Sequence, residues 1–356
     1  MNNINAIEFC SEGTSIISLA KIGEPPSISL EYSYNGVDWD RWDFSSLTIN
    51  QTLYIRGYNS EGFSYSNDDY YSFIIEGDKV SCSGNTMSLI DYKNLPDVIP
   101  SDCCFYRLFK DCNALTTTPE LPAMRLAEAC YESMFECCSS LTAAPKLPAI
   151  ELADYCYRYM FYSCSSLTTA PELPAMKLAE YCYGSMFECC SSLTAAPKLP
   201  AMTLADNCYE IMFSSCFSLK TAPALPATKL ADSCYYRMFS DCTSLVKAPE
   251  LPATKLVNCC YGDMFSGCTT LTTAPELPAI ELAGSCYSGM FECCFLLKTT
   301  PKLPAKKLAN WCYSRMFYGC NSLTTVPELP ATKLVDYCYY NMFEGCTLLK
   351  GKVNSR

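Results

Sequence analysis

The sequence predicts a repeat fold, an α/β solenoid of ten 26-residue units that follows a small all-β domain. Three observations predict it: cysteine recurs at a fixed interval in two parallel series, the apolar pattern changes its period within each unit, and residues 1–88 lack the repeat. Each unit is too short to bury its own apolar face. Stacking of successive units is therefore expected.

The repeat is defined by two cysteine series with a constant spacing of 26 residues. The leading series is Cys104, Cys130, Cys156, Cys182, Cys208, Cys234, Cys260, Cys286, Cys312 and Cys338. The second series follows eight residues later: Cys112, Cys138, Cys164, Cys190, Cys216, Cys242, Cys268, Cys294, Cys320 and Cys346. A degenerate first turn begins near Leu89. We therefore place the solenoid at 89–351 and a polar tail at 352–356.

Within a unit, a stripe two residues wide recurs at every fourth position, from Leu126-Ala127 through Cys130-Tyr131 and Met134-Phe135 to Cys138. This spacing predicts one face of a short helix. Residues 141–144 then predict a strand of three or four residues, because Pro145 cannot donate a hydrogen bond to a sheet. Each unit is expected to supply one helix and one strand, with the strands on the concave side of a curved stack.

Residues 1–88 predict a small β-sandwich. Short alternating runs at 27–32, 47–49, 53–55 and 71–75 are typical of strands, and Asn35-Gly36 favours a hairpin turn. We expect this domain to cap the open end of the stack, which would otherwise expose apolar surface.

The unit L-P-A-x-x-L-A-x-x-C-Y-x-x-M-F-x-x-C-x-x-L-T-x-A-P-x, as in residues 121–146, resembles the BspA-like leucine-rich repeats and the 26-residue repeat of bacterial surface proteins. In those families a cysteine follows the (A/M)F pair and a leucine follows three residues later. Proline at both ends of the strand and Met-Phe in place of Ala-Phe depart from the family pattern. The resemblance covers roughly 89–350 and implies a leucine-rich-repeat solenoid used for binding or adhesion at a surface. Similar arrays on bacteriophage particles give a second implied setting.

Composition weighs against catalysis. The chain has no histidine and lacks the G-x-S-x-G, P-loop and G-x-G-x-x-G motifs, so we expect no enzyme, no cofactor and no metal site. The net charge of −11 argues against nucleic-acid partners, which require a positive surface. No run approaches the ~18 consecutive apolar residues of a membrane span, so membrane insertion is not expected.

The cysteine ladders are interpreted as small apolar core residues, with Cys130, Cys138, Cys156, Cys164, Cys182, Cys190, Cys208 and Cys216 as their representative members. The alternative is a disulfide or zinc framework. Two cysteines eight residues apart on a helix are ~12 Å apart, whereas a disulfide needs Cα atoms within about 7 Å. Zinc would require thiolates at CxxC-like spacing, which the ladders lack.

Candidate ligand contacts come from the positions that differ most between units, namely the residue before each leading cysteine and the two residues after each Cys-Tyr. These candidates are Tyr159, Arg237, Trp311, Arg315 and Tyr340. In residues 1–88, Trp39 and Trp42 lie three apart and cannot both face inward on one regular strand, so both are kept as candidates.

The function that these features predict is non-enzymatic recognition or adhesion, with a host-surface protein or glycan as partner. The alternative is a bacteriophage virion protein, attached to tail or capsid, that is structural or receptor-binding. Residues 1–88 would then mediate virion assembly or a homo-oligomer. The beginning of the sequence has no recognisable signal peptide, which favours the virion alternative. The expected location is an extracellular surface or a virion, with the cytoplasm left open.

Overall fold

The computed structural model describes residues 4–350, so the whole predicted tail at 352–356 and the last residue of the predicted solenoid lie outside the described residues. The chain forms two compact units, Met1–Ala175 and Met176–Arg356. The division falls inside the repeat array.

In the described part of the first unit, eight strands form two antiparallel sheets. They are β1 Ile7–Ser11, β2 Ser15–Ile22, β3 Leu30–Ser33, β4 Asp40–Arg41, β5 Leu47–Ile49, β6 Thr52–Gly57, β7 Tyr70–Gly77 and β8 Val80–Gly84. One sheet has the order β4-β3-β6-β1-β8 and the other β5-β2-β7. The sheets meet through Phe9 of β1 and Phe73 of β7, whose ring centroids are 5.8 Å apart. A short helix, α1 Ser88–Asp91, follows β8.

The predicted helix in each repeat is wrong for the described residues, where α1 is the one α-helix. The segment from 127 to 138 and its counterparts, here named the turn segments, are successions of turns. Alternate residues donate their backbone N–H to the carbonyl three residues earlier: Cys130 to Ala127 at 3.4 Å and Met134 to Tyr131 at 3.2 Å. Those bonds close β-turns, whereas α-helical bonds reach four residues back.

The remaining N–H groups of a turn segment bond to the next repeat. Tyr131 donates to the carbonyl of Cys156 at 3.0 Å, and Ser133 donates to Arg158 at 2.9 Å. The second unit repeats the arrangement, with Tyr209 donating to Cys234 at 3.1 Å. Successive repeats are thus joined by backbone hydrogen bonds. An α-helix would have used these donors internally.

Every described repeat has a positive φ at three positions: one residue before the leading cysteine, three residues after it and seven residues after it. In one repeat these are Ala129 at 49°, Ser133 at 55° and Cys137 at 60°. The third residue of a type II turn requires such a φ. Non-glycine residues hold it at a cost of roughly 1–2 kcal/mol each, which the packing between repeats must offset.

The predicted strand at 141–144 is reduced to isolated parallel bridges between neighbouring repeats. Ala143 pairs with Thr169 in the first unit, and Lys247 pairs with both Thr221 and Thr273 in the second. Turns and single bridges therefore replace the predicted helix and strand, and the α/β class is not what the repeats form.

Aromatic rings stack from repeat to repeat inside each unit. Tyr131 and Tyr157 lie 5.8 Å apart in the first unit, and Phe213 and Phe239 lie 5.7 Å apart in the second, each pair nearly parallel. The leading and second cysteines pack beside these rings and are 0% exposed in most repeats. The second cysteine also donates its thiol hydrogen to a carbonyl of the previous repeat, as from Cys216 to Phe187 at 3.1 Å.

Two phenylalanines of the first unit's β-region occupy the places that a preceding repeat would fill. The ring of Phe73 stacks on Phe109 at 5.0 Å, its N–H donates to Leu108, and its carbonyl accepts the thiol of Cys112. Phe63 stacks on Phe105 at 6.0 Å and donates its N–H to Cys104. These contacts reproduce those between ordinary repeats. The apolar face and the carbonyls of the first repeat are therefore covered.

The stacked tyrosine rings and the stacked phenylalanine rings of successive repeats are here named the ring ladders. Removing one ring from a ladder should destabilise the unit strongly. Phe239→Ala removes a fully buried ring between two others and is expected to cost about 3–5 kcal/mol. Phe217→Ala, at an exposed ring of the same unit, should change stability by about 0.5 kcal/mol or less. Native-state hydrogen exchange of amides in the flanking repeats measures both effects. Similar protection in the two variants would contradict the ladder's role.

The positive φ at Ser215 predicts opposite effects for two substitutions. At 58° the serine holds a conformation that glycine adopts freely, and the equivalent residues of other repeats are Gly267, Gly319 and Gly345. Ser215→Gly should stabilise the unit by about 0.5–1 kcal/mol, and Ser215→Val should destabilise it by about 1 kcal/mol or more. Thermal unfolding of both variants gives the test. A helical segment would give the reverse order.

Candidate recognition surface

The most exposed group of aromatic side chains in the turn segments is Trp311, Tyr337 and Tyr340, here named the aromatic cluster. Their exposed fractions are 40%, 55% and 47%. Trp311 and Tyr337 stack at 4.1 Å between ring centroids, and Tyr340 meets both rings edge-on at 5.9 and 5.7 Å. The three side chains present one apolar patch in which the rings hold each other in place.

Backbone hydrogen bonds between two repeats position the aromatic cluster. Trp311 donates its N–H to the carbonyl of Asp336 at 3.1 Å, and Arg315 donates to the carbonyl of Tyr340 at 2.7 Å. The ring positions are thus fixed by the same bonds that join repeats. A surface that is already ordered loses little conformational freedom when it binds.

Arg315 lies on the same turn segment as Trp311 and is held by Glu292 of the preceding repeat. Its guanidinium donates two hydrogen bonds to that carboxylate, at 2.6 and 3.0 Å, and lies 4.2 Å from the ring centre of Tyr318. The hydrogen bonds to Glu292 raise the pKa of Arg315. The arginine therefore contributes a fixed, paired charge.

Tyr159 belongs to a second aromatic and arginine group, in the first unit. The guanidinium of Arg158 lies 4.7 Å from the ring centre of Tyr159 and 5.5 Å from that of Tyr155, while its charge is 3.6 Å from Glu132. Tyr159 also meets Tyr162 edge-on at 5.9 Å. Tyr159 is half-buried, so it presents less surface than the aromatic cluster.

Arg237 is exposed in the second unit, and its charge acts on two half-buried carboxylates. Burial raises the pKa of Asp263, an effect that the Tyr236 hydroxyl and Arg237 oppose. Burial likewise raises the pKa of Glu188, which Arg237 also opposes. The nearby Gly289 leaves room for the Asp263 carboxylate, because a Cβ there would overlap it.

A third group was missed by sequence reasoning. Arg107 lies 4.9 Å from the ring centre of Tyr106 and 5.6 Å from that of Tyr70, and Lys110 pairs with Glu136 at 2.8 Å. Tyr70 belongs to β7, outside the repeat pattern, so the spacing gave no signal for this contact.

The two tryptophans of the N-terminal region differ. Trp42 is 2% exposed, stacks against Phe73 at 6.3 Å and donates its indole N–H to Ser45 at 2.7 Å. The prediction of Trp42 as a ligand contact is therefore wrong, because it belongs to the core. Trp39 is half-buried beneath the guanidinium of Arg56, which lies 3.7 Å from its ring centre.

All eight representative ladder cysteines are buried, the group being Cys130, Cys138, Cys156, Cys164, Cys182, Cys190, Cys208 and Cys216. Burial raises the pKa of Cys130 to about 12 and that of Cys138 well above its ordinary range. Thiols with such a pKa stay protonated near neutral pH, and protonated thiols are poor nucleophiles and metal ligands. Their observed role is packing, and Cys138, Cys164 and Cys216 of the second series also donate a thiol hydrogen bond.

Among residues 4–350 no group of three or more cysteines, aspartates or glutamates is arranged to hold a metal ion. The same residues contain no helix long and apolar enough to cross a membrane. The comparisons add no relative: no protein-family model, curated protein or solved structure matches the chain. The resemblance to BspA-like repeats rests on the repeat motif alone.

The carboxyl group of Glu132 should make the stability of the first unit depend on pH. Its side chain is 16% exposed, and burial raises its pKa from 4.5 to about 7 although Arg158 and Arg107 oppose the change. The folded state then holds the proton more tightly than the unfolded state. The contribution of this group to the free energy of unfolding should fall by roughly 3 kcal/mol as pH rises between these two values, and stay constant above them.

Glu132→Gln should remove this slope, because glutamine does not titrate. Glu128→Gln, at an exposed carboxylate of the same repeat, is the matched control. Urea unfolding of the three proteins at pH 5 and pH 8 makes the comparison. Parallel pH profiles for wild type and Glu132→Gln would show that burial of this carboxylate has no energetic effect.

Proposed function

We propose that this chain is a non-catalytic recognition protein whose turn segments bind a host-surface protein or glycan. The aromatic cluster is the observation that carries the proposal. Its three rings are each at least 40% exposed, although nearly every other ring of the last three repeats is packed between neighbours or only partly accessible. Exposed tryptophan and tyrosine on an ordered backbone are typical of binding surfaces.

The arrangement of the repeats supports the same function. Backbone bonds, ring ladders and buried thiols are alike in successive repeats, while the side chains beside the leading cysteine differ. A constant interior with variable surface positions allows the chemistry of the surface to change without altering the packing.

The proposal is tested by removing the rings of the cluster. Trp311→Ala combined with Tyr340→Ala should reduce binding to host cells at least about ten-fold, since aromatic anchors of this kind contribute about 2 kcal/mol or more. Phe295→Ala, an exposed ring of the same unit that lies outside the cluster, is the control and should bind like wild type. Flow cytometry with fluorescently labelled protein measures binding.

Treatment of the cells with protease or glycosidase then distinguishes a protein ligand from a glycan. If the double variant binds as well as wild type, the aromatic cluster is not the recognition surface.

The virion alternative proposes the same surface as a receptor-binding element, with assembly through residues 1–88. Mass spectrometry of purified phage particles and of washed cell surfaces separates the two settings.

A further inference from the structure

A cavity of about 440 Å³ lies between two successive proline-rich segments of the second unit, 220–226 and 247–252. This volume falls within the roughly 300–1,000 Å³ of small-molecule sites. The cavity belongs to a different part of the repeat from the aromatic cluster, and nothing in the proposed function uses it.

One residue of the cavity lining is smaller than its counterparts in the other repeats. The residue between Pro and Leu-Pro is charged in the other repeats: Glu120, Lys146, Glu172, Lys198, Glu250, Glu276, Lys302 and Glu328. At the equivalent position beside the cavity, the residue is Ala224. The methyl side chain leaves open the space that a long charged chain would cover.

A second departure from the repeat pattern meets the first in the same cavity. Lys247 occupies a position where the other repeats have threonine or alanine: Thr117, Ala143, Thr169, Ala195, Thr221, Thr273, Thr299 and Thr325. Its backbone is fixed by parallel bridges to Thr221 and Thr273. Lys220 lines the cavity beside it, also where most repeats have threonine.

The charges at the cavity are not paired. In the described part of the chain, neither Lys220 nor Lys247 has a carboxylate oxygen within 4.0 Å, whereas Lys307 of the same unit pairs with Glu281 at 2.6 Å. Glu250 is the single acidic residue of the lining, so positive charge predominates. Pro223, Pro249 and the buried Leu225 supply apolar walls.

We propose that this cavity binds a small organic anion with an apolar body. The anionic group is held by the ammonium groups of Lys220 and Lys247, and the apolar body lies against the prolines and over Ala224. A carboxylate or a sulfonate satisfies the same charge requirement. Lysine holds such a group as a point charge without fixing its orientation.

The test uses 8-anilinonaphthalene-1-sulfonate, which joins one sulfonate to an apolar aromatic body and fluoresces when bound. Ala224→Glu introduces the glutamate that the next repeat carries as Glu250, occupies part of the cavity and adds a negative charge. It should weaken binding to the full chain at least about ten-fold. Lys247→Thr should weaken binding about ten-fold, because a hydrogen bond to a charged group contributes about 1.5–3 kcal/mol.

Lys255→Thr is the matched control, since it removes an exposed lysine of the following repeat that does not line the cavity. Its affinity should stay within about two-fold of wild type. The neutral analogue N-phenyl-1-naphthylamine should bind wild type about ten-fold more weakly than the sulfonate. Unchanged sulfonate binding in Ala224→Glu would overturn the site, and equal binding of the neutral analogue would overturn the role of the lysines.

Both cavity variants introduce residue types that other repeats already carry at the same positions, and circular dichroism verifies their folding. The titration is repeated in Trp311→Ala, where sulfonate affinity should be unchanged. Loss of binding there would mean that the dye occupies the aromatic cluster, which would overturn the cavity assignment and leave the proposed recognition surface in place.

Discussion

The division of backbone hydrogen bonds within the turn segments is the constraint on which the rest of the structure depends. Alternate N–H groups close turns inside a repeat, and those between them bond to the next repeat. Because the links between repeats are backbone bonds of 2.7–3.2 Å, successive rings are held 5.5–6.0 Å apart along both ladders. Stacked rings at this distance make favourable contact, so aromatic packing and hydrogen bonding reinforce each other.

The same constraint explains the cysteines. The carbonyl of each ladder phenylalanine accepts a turn hydrogen bond, and the thiol of the next repeat's second cysteine donates to it as well. A small side chain with a weak donor fits this buried place, where a hydroxyl would add polarity and an alkyl group would supply no donor. Phe73 follows the same rule from a β-strand, accepting the thiol of Cys112 at 3.1 Å. Phe73 therefore makes the same hydrogen bonds and the same ring contact to the first repeat that a residue of a preceding repeat would make.

The sequence was sufficient to predict the repeats, their register and the buried stripe, because regular spacing is visible without a structure. It was insufficient to predict their conformation. In a helix, residues four apart drift about 40° per step around the axis, yet Cys130, Met134 and Cys138 are all 0% exposed. A stripe of period four fits a four-residue turn unit better than a 3.6-residue helix. The sequence did contain one signal for turns, namely glycine or asparagine at positions that have a positive φ. These residues are Asn207, Gly267, Gly289 and Asn341.

Prediction of the candidate surface was limited in a similar way. The variable positions include Trp311, Tyr337 and Tyr340, but the stacking of these three rings and the ion pair of Arg315 with Glu292 depend on which side chains meet across repeats. Trp42 was misassigned because it lies just after the short strand β4, where burial depends on the opposite sheet, here through Phe73. Contacts between elements are set by packing, and one sequence does not contain that information directly.

The strain at the exposed positions bears on function. Trp311 and Tyr337 have φ values of 61° and 54°, where glycine would be more stable by about 1 kcal/mol or more. Their backbone N–H groups and carbonyls would serve the stack equally well with glycine, and their rings contribute little to the core. Packing therefore does not account for a large aromatic side chain at either position. An exposed ring that the fold does not need is available to an external partner, and this supports the proposal that the aromatic cluster is a recognition surface.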